Sequence, residues 1–101
     1  MASIRISIHV LRVLQALYQR LDTPFYGLEL QRSLDISNGA LYPILDKLER
    51  AGYVTSQTED IDESAEGRRR RRYFRLTASG ITFAEQQLRT TLTTLGQGIV
   101  L

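Results

Sequence analysis

The sequence predicts a mostly α-helical domain with one small β-hairpin. Three observations predict it. Apolar residues recur every three or four positions in separate stretches, turn residues punctuate those stretches, and two short strand-like runs flank an acidic and then basic segment. A chain of 101 residues has room for one modest core. Its 43% hydrophobic and 24% charged residues are ordinary for a folded globular domain. The absence of cysteine excludes disulfides, thiolate metal sites and a cysteine nucleophile. No apolar run approaches the length of a membrane span and no signal-peptide pattern opens the chain, so the expected compartment is cytoplasmic.

The opening alternates Ile4, Ile6, Ile8 and Val10 with polar residues and suggests a brief extended segment. From Ser7 the period lengthens. Val10, Leu11, Val13, Leu14, Leu17, Tyr18 and Leu21 fall on one helical stripe, with Ser7 as N-cap and Asp22-Thr23-Pro24 as the stop. A short second helix, roughly Gly27 to Leu34, is expected to bury Leu28, Leu30 or Gln31, and Leu34. Asp35-Ile36-Ser37 is a tight connection into a third helix from about Asn38 to Arg50. On that helix Leu41, Ile44, Leu45 and Leu48 share the inner side. Gly39, Pro43, Asp46 and Arg50 lie opposite, flanked by Ala40, Tyr42 and Lys47. Pro43 lies beyond the free N–H groups of the first turn, so a tightened or kinked start is expected. Gly52 closes the helix.

Tyr53-Val54-Thr55-Ser56 opens the hairpin and Tyr73-Phe74-Arg75-Leu76 returns it, with Val54, Phe74 and Leu76 pointing inward. Between them an acidic stretch, Glu59 to Gly67, precedes five consecutive arginines, Arg68 to Arg72. On a strand, alternate arginines would point to opposite sides. The acidic stretch could be a solvated loop or could shield the arginines in the free protein, and the solvated loop is preferred because exposed charge pairs contribute little. Thr77 is the expected N-cap of a last helix, Ala78 to about Leu95. Its apolar positions Ile81, Ala84, Leu88, Leu92 and Leu95 step by three and four. The helices and hairpin account for the apolar residues of the first 76 positions, so this seam calls for another helix to pack on. The expected division is a DNA-binding unit, 1–76, and a dimerisation helix with a short tail, 77–101.

The thirteen basic residues are twelve arginines and Lys47, and the arginine run places dense positive charge on the hairpin. Such charge suits the phosphates of a nucleic acid, and Arg carries a planar fork of donors for them. The order of elements, with only Asp35, Ile36 and Ser37 between helices two and three, is that of a winged helix-turn-helix. On this reading Tyr42 offers its hydroxyl to a phosphate, Lys47 contacts the backbone, and Gly39 permits close approach. Asp46 pairs with Arg50 one turn later, and His9 is a helix-start residue. Nothing in the chain resembles a nucleophile with its base, a metal cluster or a phosphate-cradling loop, so neither an enzyme nor a cofactor is expected. The competing class is a protein-interaction or assembly module whose basic wing grips an acidic partner.

Tyr26-Gly27-Leu28-Glu29-Leu30, Ser37 through Leu45 (S-N-G-A-L-Y-P-I-L), Leu48-Glu49-Arg50-Ala51-Gly52 and Gly67 through Thr77 resemble the PadR family of bacterial transcriptional regulators. The resemblance covers about residues 7 to 90. It implies a homodimeric repressor on a palindromic operator of double-stranded DNA. Tyr26, Ser37, Asn38, Gly39, Ala40, Tyr42, Pro43 and Lys47 would face DNA from the helices, and Arg68, Arg69, Arg70 and Arg71 from the wing. The last helix would cross the partner's first helix, joining Ile81, Ala84, Leu88, Leu92 and Leu95 to Leu11 and Leu14. Two departures stand out. Ala40 occupies a position where the family commonly has Thr, and the chain has no Trp of the kind on which some relatives stack flat drugs.

Overall fold

The computed structural model describes residues 4–98, and the side chains of the last helix as far as Leu92. The elements are α1 (Ile8–Tyr18), β1 (Phe25–Tyr26), α2 (Gly27–Leu34), α3 (Asn38–Arg50), β2 (Val54–Thr58), α4 (Glu63–Glu66), β3 (Arg72–Leu76) and α5 (Ala78–Gly98). Ser7 and Thr77 cap their helices as expected, and Ser37 caps the third. Ser7 Oγ accepts from the Val10 amide at 3.2 Å, Ser37 Oγ from Ala40 at 3.3 Å, and Thr77 Oγ1 from Gly80 at 3.0 Å. Asp35 ends α2 in the left-handed region (φ 49°), which turns the chain sharply into α3. Arg12 of α1 donates to the Leu34 carbonyl oxygen and so ties that helix end to the bundle.

Three expectations shift in the helices. α1 stops at Tyr18, which leaves Leu21 beyond the stripe and exposed. Leu28 is also exposed, because it lies about 200° around α2 from the buried Leu30. Pro43 sits on the outer side of a helix that is continuous from Asn38 to Arg50, with no break at its position.

The hairpin belongs to a three-stranded antiparallel sheet, in the order β1-β3-β2. Two residues before α2, Phe25 and Tyr26, pair with Phe74 and Tyr73. So short a strand has no periodicity of its own to read. In the other pairing Val54 stands opposite Leu76 and Ser56 opposite Phe74, and Val54, Phe74 and Leu76 are buried as their alternation requires. The wing tip holds a second unexpected element, the one-turn α4, capped by Asp62 Oδ1 on the amides of Ser64 and Ala65. Arg68 to Arg71 therefore lie between α4 and β3, and only Arg72 is in the strand. Their directions follow that connection and not a strand's alternation.

The core is Val13, Leu14 and Leu17 of α1, Leu30 of α2, Leu41, Leu45 and Leu48 of α3, and Phe74 of β3. It continues past residue 77 into α5. Ala84 is fully buried, and Gly80 lies against Tyr53 in the turn between α3 and β2, where an added Cβ would stand 1.8 Å from the Tyr53 carbonyl oxygen. Beside it the Tyr53 and Phe83 rings stack with centroids 4.1 Å apart. Leu14 and Ala84 are thus interior residues of a single chain and present no surface to a partner, contrary to the sequence expectation.

Candidate nucleic-acid interface

The start of α3 is open. Ser37, Asn38 and Gly39 are exposed, and nothing lies within 4 Å of a Cβ built on Gly39. Pro43 and Lys47 are exposed further along, and Asp46 pairs with Arg50 at 3.2 Å as its spacing predicts. Ala40 differs from them. It is half-buried and packs against the core, so its methyl is only partly available outside.

Tyr42 serves packing as well as the surface. Its ring meets Phe74 edge-on with centroids 6.4 Å apart, and its hydroxyl lies over Gly27, where an added Cβ would be 2.1 Å from the oxygen. A side chain at Gly27 would displace the Tyr42 ring from this place. The Tyr42 side chain remains partly exposed beside the wing. Tyr26 sits at the turn into α2, where Glu29 accepts from its amide at 3.4 Å and also binds Arg20 at 2.7 Å. The Tyr26 ring meets Tyr73 edge-on at 5.8 Å, and the Arg71 guanidinium lies 4.7 Å from its centre.

The acidic stretch is not a bare solvated loop, because it grips the arginines. Glu59 accepts from Arg68 Nη1 and Nη2 at 2.7 and 3.0 Å and from the Arg71 amide at 3.1 Å. The Tyr73 hydroxyl donates to it at 3.4 Å. The Arg68 hydrogen bond above all holds the Glu59 carboxyl down at about 2, partial desolvation opposing it and the Arg71 amide assisting. Arg68 is correspondingly raised by Glu59. Glu63 accepts from the Arg70 amide at 2.9 Å, and Arg70 Nε donates to the Ile61 carbonyl oxygen at 3.0 Å. At the wing root Arg72 donates to Glu49 Oε1 at 2.6 Å and to Ser56 Oγ at 3.1 Å. Arg68 and Arg70, expected to face DNA, thus have partners within the wing. Sequence reading missed Glu49, Ser56 and Glu59. Only the acidic bias of the wing hinted at such pairing, and it does not say which carboxylate meets which arginine.

These parts converge. Tyr26, Gly27, Leu28, Tyr42 and Arg69 to Arg72 line one recess between the α2 start, α3 and the wing. A second recess is apolar and lies between α1 and α5. Ile8 and Leu92 are 66% and 70% exposed there, and Leu11, Tyr18 and Leu88 are half-buried beside them. The Leu95 side chain lies outside the described residues. Among the described residues no group of three or more His, Asp or Glu is placed to hold a metal, and no helix is long and apolar enough to cross a membrane.

The sequence pattern of the PadR-like transcriptional regulators matches residues 10–86. The chain belongs to the PadR-like family. Members of this family are transcriptional regulators and not enzymes. Comparison with curated protein sequences finds no match. Among solved structures, the PadR-like fold of this chain is similar to a PadR-like transcription factor from Bacteroides fragilis (TM-score 0.72, 18% identity), over 91% of this chain and 86% of that one. It is also similar to a point mutant of MarR from E. coli (TM-score 0.75, 24% identity), over 92% of this chain and 62% of that one. A third is FabT of Streptococcus pneumoniae, solved in complex with DNA (TM-score 0.65, 18% identity), over 93% of this chain and 60% of that one. The chain therefore spans less than two thirds of the MarR and FabT chains. At these identities the likeness establishes a winged-helix fold.

Proposed function

We propose that this PadR-like chain is a cytoplasmic repressor that binds a palindromic operator as a homodimer. The start of α3 enters the major groove and the wing lies on the backbone or minor groove. The observation that carries the reading is the single recess in which Tyr42 of α3 and the wing arginines face one space. A regular array of phosphates is the ligand that such a surface suits. The open position at Gly39 lets the helix start come close to base edges.

The apolar recess supports dimerisation. Ile8 and Leu92 are large, exposed and adjacent to Leu11 and Leu88, and a second copy related by two-fold symmetry would cover both sets. In this arrangement α5 closes the core with its first turns and meets the partner with its later ones. Two-fold symmetry then places operator half-sites about one DNA turn apart, roughly 34 Å. Selection of bound sequences from a random duplex library tests the proposal. A two-fold symmetric consensus is expected. An asymmetric consensus bound by a monomer, or no enrichment, would overturn it.

A further inference from the structure

Arginines 68 to 72 are chemically identical and consecutive, yet the fold treats them differently. Arg68 gives both Nη groups to Glu59, and Arg72 is held by Glu49 and Ser56. Arg70 is fastened at its amide by Glu63 and at Nε by the Ile61 carbonyl. Among the described residues, the guanidiniums of Arg69 and Arg71 donate to no acceptor, and both line the recess beside Tyr42.

Binding a phosphate with Arg68 or Arg72 would require breaking a short charge-assisted pair already formed. Arg69 breaks nothing, and Arg71 gives up no hydrogen bond, its guanidinium lying only over the Tyr26 ring at 4.7 Å. The carboxylates also bridge separate parts of the chain. Glu59 leads out of β2 and accepts from the Arg71 amide, while its own amide donates to the Arg71 carbonyl oxygen at 2.8 Å. The backbone of Arg71 is thereby held from both sides. Glu49 belongs to α3, and its bonds to Ser56 of β2 (2.5 Å) and Arg72 of β3 join the proposed reading helix to the wing root. Both pairs are short and partly exposed, and each fixes where its arginine points.

Resting on the DNA-binding reading above, we infer that Arg69 and Arg71 are the phosphate-contacting arginines of the wing, whereas Glu59 and Glu49 are positioning residues. Glu59 holds Arg68 and the Arg71 backbone in place within the wing, and Glu49 uses Arg72 and Ser56 to tie the wing root to α3.

The test uses the full chain, a short random-sequence duplex and the selected operator. Arg69→Gln and Arg71→Gln should each reduce the log–log salt slope on the random duplex by about 0.9. Arg68→Gln and Arg72→Gln should leave that slope at its wild-type value. A loss at Arg68 or Arg72 as large as that at Arg69 overturns the division. Glu49→Gln should weaken operator binding about tenfold, the scale of one misplaced base contact, without weakening random-duplex binding. Equal weakening on both duplexes, or on neither, overturns the role of Glu49. A readout free of DNA decides the other tether. Glu59→Gln should accelerate amide hydrogen exchange at Arg71, Arg68→Gln should do so too, and the double variant should exceed neither. Unchanged protection of Arg71 in Glu59→Gln overturns that tether. Wild-type protein with no salt-dependent duplex binding would overturn the DNA-binding reading and with it the assignment of Arg69 and Arg71. The exchange experiment would still decide the part played by Glu59.

Discussion

The wing and the α1–α5 face solve opposite problems. The wing gathers five like charges in one short segment, and most of them find partners within the same chain. The α1–α5 face carries Ile8 and Leu92 largely in the open, and no described residue covers them. Charge can be paired within one chain, since α4 and its flanking residues return Glu59 and Glu63 to the arginines and α3 supplies Glu49 to Arg72. An apolar face is satisfied only by another surface of matching size. The wing pairs its charges within one protomer, whereas on the proposed reading the α1–α5 face is covered by a second copy.

The largest expected effect breaks the second half of this comparison. Leu92 is 70% exposed in the single chain, so Leu92→Asp should not unfold it. At the centre of a dimer interface the same change should cost about 2 kcal/mol or more for each copy. Sedimentation should then show a monomer, with operator affinity falling far more than random-duplex affinity. An unchanged dimer at micromolar concentration would place the interface elsewhere.

Gly39→Glu tests the opposite face. With open space around Gly39 the fold should survive, while a carboxylate at the helix start meets phosphates and abolishes operator binding by gel shift. Retained binding would mean that α3 is not the reader. A smaller effect is expected where α5 passes from core to interface. Gly80→Ala forces a methyl onto the Tyr53 carbonyl oxygen, and displacement of α5 should destabilise the domain by about 1–3 kcal/mol in thermal or urea unfolding. No loss of stability would show that α5 docks loosely.

The smallest effect concerns acid. The Glu59 carboxyl is depressed to about 2 from 4.5, so its contribution is fully present above about 4.5 and is lost as the pH falls from there towards 2. Over that window amide protection at Arg71 should decline. The decline should be absent in Glu59→Gln, whose protection is already low at neutral pH. A wild-type profile that is flat down to pH 2 would deny the Glu59 tether.

Much of the fold was legible because helices declare themselves locally. Ser7, Ser37 and Thr77 are caps whose chemistry acts over three residues, and the inner stripe of α3 follows from its period alone. The candidate site was legible as a region, from the helix start at Ser37 and the run of basic charge. Which arginine does what was not legible, because ion pairing depends on where α4 and its flanks place Glu59 and Glu63. The two-residue β1 also escaped, since Phe25 and Tyr26 become a strand only by finding Phe74 and Tyr73 across space.

Leu14 and Ala84 show the same limit from the apolar side. Their helical spacing marks a face to be buried but cannot say whether the covering surface belongs to the same chain or to another. Periodicity, caps and charge density are properties of neighbours along the chain, and the sequence by itself determined these: the helices, the inward faces of the hairpin and a basic wing. Tertiary structure decided what depends on residues distant in sequence meeting in space. It enclosed Leu14 and Ala84, left Leu92 outside, laid the Tyr42 hydroxyl over Gly27, and gave Arg68 and Arg72 carboxylate partners while Arg69 and Arg71 received none. The physical reason is range, because a helical period reports on a few residues and a salt bridge or a packed face depends on the path of the whole chain.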